Sequence, residues 1–164
     1  ILVITCIVSV QLSLADFIWR PYTGTIPSDA IEGGFDGNLI TYIAQIEVTG
    51  STDIVTAILY PNDPYVYAAY HSKVYKKNSN IKILCGSELN QFVWDTRVNS
   101  DCTLIRGSYT NPYDNFYIGR CYVNNRLYTG RFSTNANTLF IPIRESPNTL
   151  TTCTVFEKLM YCNL

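Results

Sequence analysis

The sequence predicts an all-β fold, a pseudo-symmetric β-sandwich built from two tandem repeats of about 75 residues. Trp19 and Trp94 lie 75 residues apart, and the same offset carries Tyr42 onto Tyr117. Sustained helical periodicity is absent. Short β-branched and aromatic runs instead alternate with clusters of Gly, Pro, Asn, Asp and Ser, which is typical of strands separated by turns.

Residues 1–15 are predicted to be a signal peptide that is truncated at its N-terminus. The segment is uncharged and largely apolar, and Ser13 and Ala15 supply the small residues of a cleavage site. Because the chain starts with Ile1 and has no basic region before the apolar run, we expect that precursor residues are missing. The mature protein is expected to begin at Asp16 and to be secreted. No other apolar run approaches the length of about 20 residues that a membrane span requires.

The mature chain, residues 16–164, is expected to form a single domain from repeats 16–88 and 89–164. A chain of about 70 residues rarely supplies enough core by itself, so the two repeats are expected to fold as one cooperative body. The chain has 12 Lys and Arg against 13 Asp and Glu, and this balance gives no field that would attract nucleic acid. Nucleic acid is therefore not an expected partner.

The cysteines of the mature chain predict a disulfide framework. They are Cys85, Cys102, Cys121, Cys153 and Cys162. Because the number of these cysteines is odd, an oxidising compartment favours two disulfides and one remaining thiol, which is either free or paired between chains in a homodimer. At least one disulfide is expected to lie within the second repeat or to join it to Cys85. Neither a Cys-x-x-Cys spacing nor a second histidine is present, so no metal or cofactor is expected.

Strands are predicted in sequence order along both repeats. In residues 40–48 apolar and polar residues alternate, which predicts a strand with one buried face. The buried face is expected to hold Ile40, Tyr42, Ala44, Ile46 and Val48, and the exposed face Thr41, Gln45 and Glu47. Further strands are predicted at residues 54–60, 65–70, 81–85, 128–132, 139–143 and 153–160. Turns are predicted at Gly33-Gly34, Asp36-Gly37, residues 61–64, Asn111-Pro112 and Asn124-Asn125. The shared period makes Trp19 and Trp94 candidate packing anchors.

A long motif opens the first repeat, and shorter motifs occur in the second. The first motif consists of Trp19, then Gly24, Pro27 and Ala30 at three-residue spacing, then Gly33-Gly34 and Asp36. The second repeat carries Tyr117-Ile118-Gly119-Arg120 and Thr129-Gly130-Arg131. Together these motifs resemble the DM-nine repeat family, whose members occur in arthropods and molluscs and as the lectin-like part of the natterin fish toxins. The resemblance implies a secreted arthropod protein with a two-repeat β-sandwich. Lectin members of the family recognise mannose-type sugars through an Asp and a Lys, without a metal ion, and the resemblance implies the same kind of site here.

The resemblance assigns candidate carbohydrate-binding residues to each repeat. In the first repeat the family's Asp matches Asp36, and its Lys falls at Ile58. In the second repeat Arg131 occupies the Lys position and Asn111 the Asp position, with Asp114 as an alternative. Neither repeat keeps an Asp–Lys pair. A sugar hydroxyl that an ammonium would bind finds no partner on an isoleucine, and a buried unpaired polar atom costs about 1–3 kcal/mol.

These residues lead to a functional hypothesis and a rival. The hypothesis is a secreted lectin-like protein of host defence or secreted fluids, and the rival is a protein–protein interaction or structural protein that kept the fold and lost sugar binding. An arginine without a facing carboxylate favours an acidic glycan over a mannose-type ligand, so the second repeat is expected to prefer acidic sugars. The simpler alternatives are a turn role for Asp36 and a solvated side chain for Arg131.

An enzymatic function is not expected. The single histidine, His71, follows a tyrosine-rich strand without a nucleophile motif beside it, and we expect it to lie on the surface. Arg120 replaces Gln45 in the repeat equivalence and is expected to support the sheet rather than to bind a ligand.

Overall fold

The computed structural model describes residues 16–111 and 114–163, without the side chains of Asn111 and Asp114. The described chain is almost entirely β, which confirms the predicted fold class. The strands are β1 (Phe17–Pro21), β2 (Glu32–Asp36), β3 (Leu39–Glu47), β4 (Ile54–Leu59), β5 (Val66–Tyr70), β6 (Lys73–Lys77), β7 (Ile81–Gly86), β8 (Phe92–Asp95), β9 (Cys102–Leu104), β10 (Arg106–Asn111), β11 (Asp114–Val123), β12 (Arg126–Ser133), β13 (Leu139–Ile141), β14 (Thr151–Cys153) and β15 (Glu157–Cys162). A short 3₁₀ helix covers Leu89–Gln91. Within this described part, no helix is long and apolar enough to cross a membrane.

Antiparallel pairing joins the strands in the order β1-β7-β3-β2-β12-β11-β10-β4-β5-β6. An additional pairing of β3 with β4 closes the central strands β3, β2, β12, β11, β10 and β4 into a ring. Within this ring β2 pairs with β12, and β10 pairs with β4. Each repeat therefore lends one strand to the other, and the two repeats form one interleaved, sandwich-like body.

The strand register reproduces the repeat equivalence. Ile43 of β3 pairs with Ile58 of β4, and Ile118 of β11 pairs with Arg131 of β12. Since Ile43 and Ile118 are 75 residues apart, Arg131 occupies the position that Ile58 holds in the first repeat. The alignment of these two residues is therefore correct at the level of the backbone.

A shared apolar core lies between the repeats. Its buried members include Ile31, Ile43 and Leu84 from the first repeat and Ile105, Ile118 and Leu159 from the second. Trp19 and Trp94 pack against this cluster, which confirms their predicted role as packing anchors. Burial of each large apolar side chain contributes roughly 1.5–3 kcal/mol, so this core couples the stability of the two repeats.

Strand β3 is buried on both faces over most of its length, and the prediction of a single buried face is wrong. Ala44, Ile46 and Val48 are buried as predicted. However, Ile40 is 42% exposed, whereas Thr41 and Gln45 are only 1% and 4% exposed. The reason is that β3 belongs to the central ring, so the second repeat covers the face that was expected to meet solvent. Gln45 is tolerated there because its Nε2 donates to the carbonyl oxygen of Gly107 at 3.0 Å.

The turn predicted at Gly33-Gly34 is also wrong, because both residues lie inside β2. Small residues are needed here because β2 approaches β12 closely. A Cβ on Gly34 would lie 2.1 Å from the carbonyl oxygen of Leu127, and one on Gly33 would lie 2.3 Å from Oγ1 of Thr129. The turn predicted next is confirmed, since Gly37 adopts a φ of 63° between β2 and β3.

Two disulfides stabilise the second repeat, as predicted. Cys102 bonds to Cys162, and Cys121 bonds to Cys153. Cys85 is the free cysteine of the described chain, and its side chain is fully buried in β7. This burial raises the pKa of the Cys85 thiol. A thiol in this position is not accessible for pairing between chains, and the homodimer stays a prediction.

Candidate functional site

Two half-sites are defined by the family's Asp and Lys positions. The first half-site surrounds Asp36 and Ile58, and the second half-site surrounds Arg131. Each receives side chains from both repeats, because the exchanged strands β2 and β10 lie beside β12 and β4.

In the first half-site, the carboxylate of Asp36 is held by arginines of the second repeat. The Asp36 side chain is only 6% exposed, and its Oδ1 lies 2.8 Å from Nη1 of Arg126. Its Oδ2 lies 3.6 Å from Nη2 of Arg144. The side chain therefore does not point into solvent, although Asp36 itself precedes the turn at Gly37. Its contacts are those of a partly exposed ion cluster that links the repeats.

Arg144 connects this cluster to a second acidic residue. Its guanidinium lies 4.1 Å above the ring of Tyr60, and its Nη1 is 3.3 Å from Oδ2 of Asp63. The hydroxyl of Tyr67 donates to the same oxygen of Asp63 at 2.9 Å. Burial, and then this hydrogen bond, raise the pKa of Tyr67 to about 12. Burial, and then the negative charge of Asp36, raise the pKa of Tyr60.

Ile58 gives the first half-site an apolar floor. Its side chain is 1% exposed and belongs to a core cluster with Tyr60 and Tyr128. The position at which the family's lysine would stand is thus part of the packed interior. Asp36 and Ile58 do not form a donor and acceptor pair, and the cations that contact Asp36 come from the protein itself.

Replacement of Asp36 by Ala is expected to destabilise the fold by about 1–3 kcal/mol, because it removes the buried acceptor that two guanidiniums share. The lower part of that range is favoured because Arg126 is 46% exposed and can be solvated again. Urea unfolding measures the difference. As a matched control, Glu145→Ala removes a carboxylate that is 51% exposed and should change stability by less than about 1 kcal/mol. Equal effects of the two substitutions would contradict the ion-cluster interpretation.

The second half-site is an open cleft of about 390 Å³ that Arg131 lines. Strand β12 places Arg131 between Ile118 of β11 and Phe140 of β13. Its guanidinium lies 4.4 Å from the centre of the Phe116 ring. The other lining residues are Asp53, Tyr70, His71, Ser72, Thr110 and Leu150. This cleft combines a cation, a carboxylate and aromatic rings.

Asp53 and Tyr70 form a hydrogen-bonded pair in the cleft. The Tyr70 hydroxyl donates to Oδ2 of Asp53 at 2.7 Å. This hydrogen bond, followed by burial, raises the pKa of Tyr70, while the charge of Arg131 acts in the opposite direction. His71 lies in the exposed turn after β5, with its ring 4.1 Å from that of Tyr70, which confirms its predicted surface position.

Sequence comparison missed Asp53 because the repeats differ there. Asp53 ends the loop in which the first repeat has two extra residues. The register of β4 and β12 aligns it with Arg126, which belongs to the first half-site. At this aligned position the first half-site has Arg126, which contacts Asp36. The second half-site has Asp53, which lines the cleft with Arg131. The charge at the position is therefore positive in the first half-site and negative in the second.

The backbone register supports the assignment of Asn111 to the family's Asp position. Asn111 pairs with Asp114 at the end of β10, just as Asp36 pairs with Leu39 at the end of β2. The side chains of Asn111 and Asp114 lie outside the described residues, and their role in the second half-site stays a prediction. Among the residues that the structure does describe, no group of three or more His, Cys, Asp or Glu side chains is arranged to hold a metal ion.

Among known protein families, the DM9 repeat family matches residues 38–150 of this chain. The match covers most of the chain and includes Asp53, Ile58 and Arg131. The chain therefore belongs to the DM9 repeat family, which is lectin-like, binds carbohydrate in general and is non-catalytic. A search of curated proteins found no match.

Proposed function

We propose that this member of the DM9 repeat family is a secreted carbohydrate-recognition protein that binds its ligand at the second half-site. The observation that carries the proposal is that Arg131 and Asp53, one from each repeat, line the same open cleft beside aromatic rings. The first half-site is a poorer candidate, since Asp36 is buried against Arg126 and Arg144.

The cleft offers the groups that a sugar ring needs. A guanidinium donates hydrogen bonds to sugar oxygens, and a carboxylate accepts them from sugar hydroxyls. The apolar face of the ring can pack against Phe116 or Phe140, which line the same cleft. Because Arg131 stacks on Phe116, its guanidinium is oriented before a ligand arrives, and this reduces the entropy lost on binding.

A mannose-type sugar fits this arrangement better than the sequence alone indicates. The sequence favours an acidic glycan because it aligns Asn111 rather than an aspartate with the family's Asp position in this repeat, whereas the structure adds the carboxylate of Asp53 to the lining of the cleft. A neutral sugar can donate to Asp53 and accept from Arg131. An acidic glycan remains the second candidate, because Arg131 attracts its carboxylate, although Asp53 repels it.

Variants of the cleft test the site and its ligand class. Arg131→Ala is expected to weaken binding of a mannose oligosaccharide by tenfold or more, since loss of a charged hydrogen-bond donor costs about 1.5–3 kcal/mol. Asp53→Asn should weaken mannose binding by about tenfold and strengthen binding of a sialylated oligosaccharide. Titration calorimetry measures both. Arg97→Ala, a change of an exposed arginine outside the cleft, is the matched control and should have no effect.

Two outcomes would refute this site. Loss of binding in a folded Asp36→Ala variant that equals the loss in Arg131→Ala would show that the site has been misplaced. Absence of binding across a glycan array would favour the rival function, a protein–protein interaction or structural protein that kept the fold.

Secretion and a role in host defence or secreted fluids complete the proposal. The two disulfides are compatible with an oxidising compartment. N-terminal sequencing of material released by expressing cells tests secretion, and the expected first residue is Asp16. A mature terminus that retains residues 1–14 would contradict the predicted cleavage.

A further inference from the structure

Two grooves occupy equivalent positions in the two repeats, apart from both half-sites. The first groove has a volume of about 300 Å³ and is lined in part by Gln45, Glu47, Asn80 and Lys82. The second groove has a volume of about 400 Å³ and is lined in part by Arg120, Tyr122, Val155 and Glu157. Each residue of the second set lies 75 positions after its counterpart in the first. The grooves are therefore the same feature of the fold with different side chains.

The second groove exposes apolar side chains that the fold does not require. Val155 is 81% exposed and Tyr122 is 65% exposed. The equivalent residues of the first repeat are Asn80 and Glu47, which are polar and also exposed. Since the same backbone accepts polar residues in one repeat, structural need does not explain the apolar residues in the other. In this groove the two apolar side chains stand beside polar ones, which is the combination that small-molecule sites use.

A fixed donor and acceptor pair lies in the same groove. Nε of Arg120 is 2.6 Å from Oε2 of Glu157, and both side chains are partly exposed, by 19% and 34%. The guanidinium also lies 4.2 Å from the ring of Trp94, and this contact holds it in place. The pair presents a guanidinium and a carboxylate side by side with no net charge. In the first groove, Gln45 instead donates to the backbone oxygen of Gly107.

The walls of the second groove are held in place before a ligand binds. The disulfide between Cys121 and Cys153 joins β11 to β14, two residues before Val155. The ring of Phe35 meets that of Tyr122 edge to face, with centroids 6.0 Å apart. A preorganised groove loses less conformational entropy on binding.

We propose that the second groove binds an N-acetylated amino sugar. The sugar ring packs on Tyr122, and the acetamido methyl group covers Val155. The amide carbonyl accepts from Arg120, and the amide N–H donates to Glu157. A hexose that lacks the acetamido group offers no such amide and leaves the apolar wall uncovered, while a charged sugar gains nothing from a neutral ion pair. The site is separate from the Arg131 cleft and does not depend on it.

Ligand titration followed by NMR tests the proposal on the mature protein, with N-acetylglucosamine and glucose as a matched pair of probes. N-acetylglucosamine is expected to bind at least about tenfold more tightly than glucose. The variants Tyr122→Glu and Val155→Asn introduce the residues of the first groove, and each should weaken N-acetylglucosamine binding severalfold without unfolding the protein. Val98→Asn, at a valine that is 53% exposed outside the groove, is the matched control and should leave binding unchanged.

Further outcomes separate this groove from the second half-site. Arg131→Ala should leave N-acetylglucosamine binding unchanged even if it abolishes binding of other sugars. Equal affinities for glucose and N-acetylglucosamine, or loss of binding in Arg131→Ala but not in Tyr122→Glu, would overturn the proposal. Sedimentation velocity provides a second test. A dimer that Tyr122→Glu dissociates would show that another copy of the chain covers the groove, and this result would also overturn the proposal.

Discussion

Gly34→Ala is expected to lower the free energy of unfolding by about 3 kcal/mol, at the upper end of the usual cost of overpacking. The added Cβ would lie 2.1 Å from the carbonyl oxygen of Leu127, and a backbone oxygen cannot move aside by changing rotamer. The clash falls on the pairing of β2 with β12, one of the two pairings that join the repeats within the central ring. Denaturant unfolding, followed by the fluorescence of Trp19 and Trp94, measures the change.

Gly50→Ala is the control for the general effect of replacing a glycine. Gly50 has a φ of 78° and nothing near the position of a Cβ, so only the backbone strain of about 1–2 kcal/mol applies. A smaller effect of Gly34→Ala than of Gly50→Ala would show that β2 and β12 separate easily, and that the repeats do not depend on this contact.

The repeat and the fold class could be predicted from the sequence because both depend on local patterns. The spacing of Trp19 and Trp94 gives the period, and the equivalent pairing of Ile58 and Arg131 is confirmed by the strand register. The exchange of β2 and β10 between repeats is a non-local arrangement that no short pattern encodes. For this reason the burial of Gln45 and the close packing of Gly34 were both mispredicted.

The single strand predicted over residues 153–160 is wrong for a similar reason. The chain forms β14, leaves the sheet around Val155 and enters β15. Strand β14 pairs with β13, whereas β15 pairs with β8, β9 and β11. The continuous run of β-forming residues carries no signal for this change of partners. It is set by tertiary contacts, including the disulfide between Cys121 and Cys153.

The candidate site could be predicted only in part. The resemblance located Asp36 and Arg131, but the oppositely charged residue beside each of them comes from the other repeat. Arg126 is 90 positions after Asp36 in the sequence, and Asp53 is 78 positions before Arg131. Alignment of the two repeats pairs Arg126 with Asp53, but it does not show that each of them lies beside a residue of the other repeat. That proximity follows only from the pairing of the strands in the fold.

Loss of the disulfides is expected to have the largest effect on stability. Replacement of Cys121 and Cys153 by Ala should lower the free energy of unfolding by about 4 kcal/mol, because the unfolded chain then gains the freedom of an open loop. The same change at Cys102 and Cys162 should cost slightly more, since its sequence separation is 60 rather than 32 and loop entropy grows with length. Urea unfolding of each double variant measures these differences, and a reducing agent, which breaks both bonds, should lower the stability of the unmodified protein by more than either double variant does.

Cys85→Ala separates the effect of the covalent bonds from that of cysteine removal. It leaves both disulfides intact and should cost only about 1 kcal/mol, because it removes one buried sulfur. If the double variant without Cys121 and Cys153 loses no more stability than Cys85→Ala, the loop between the two cysteines is ordered without the disulfide. The same double variant should weaken N-acetylglucosamine binding more than binding at the Arg131 cleft, because this disulfide holds the chain just before Val155. Equal weakening of both would mean that the bond stabilises the whole second repeat rather than the wall of the groove.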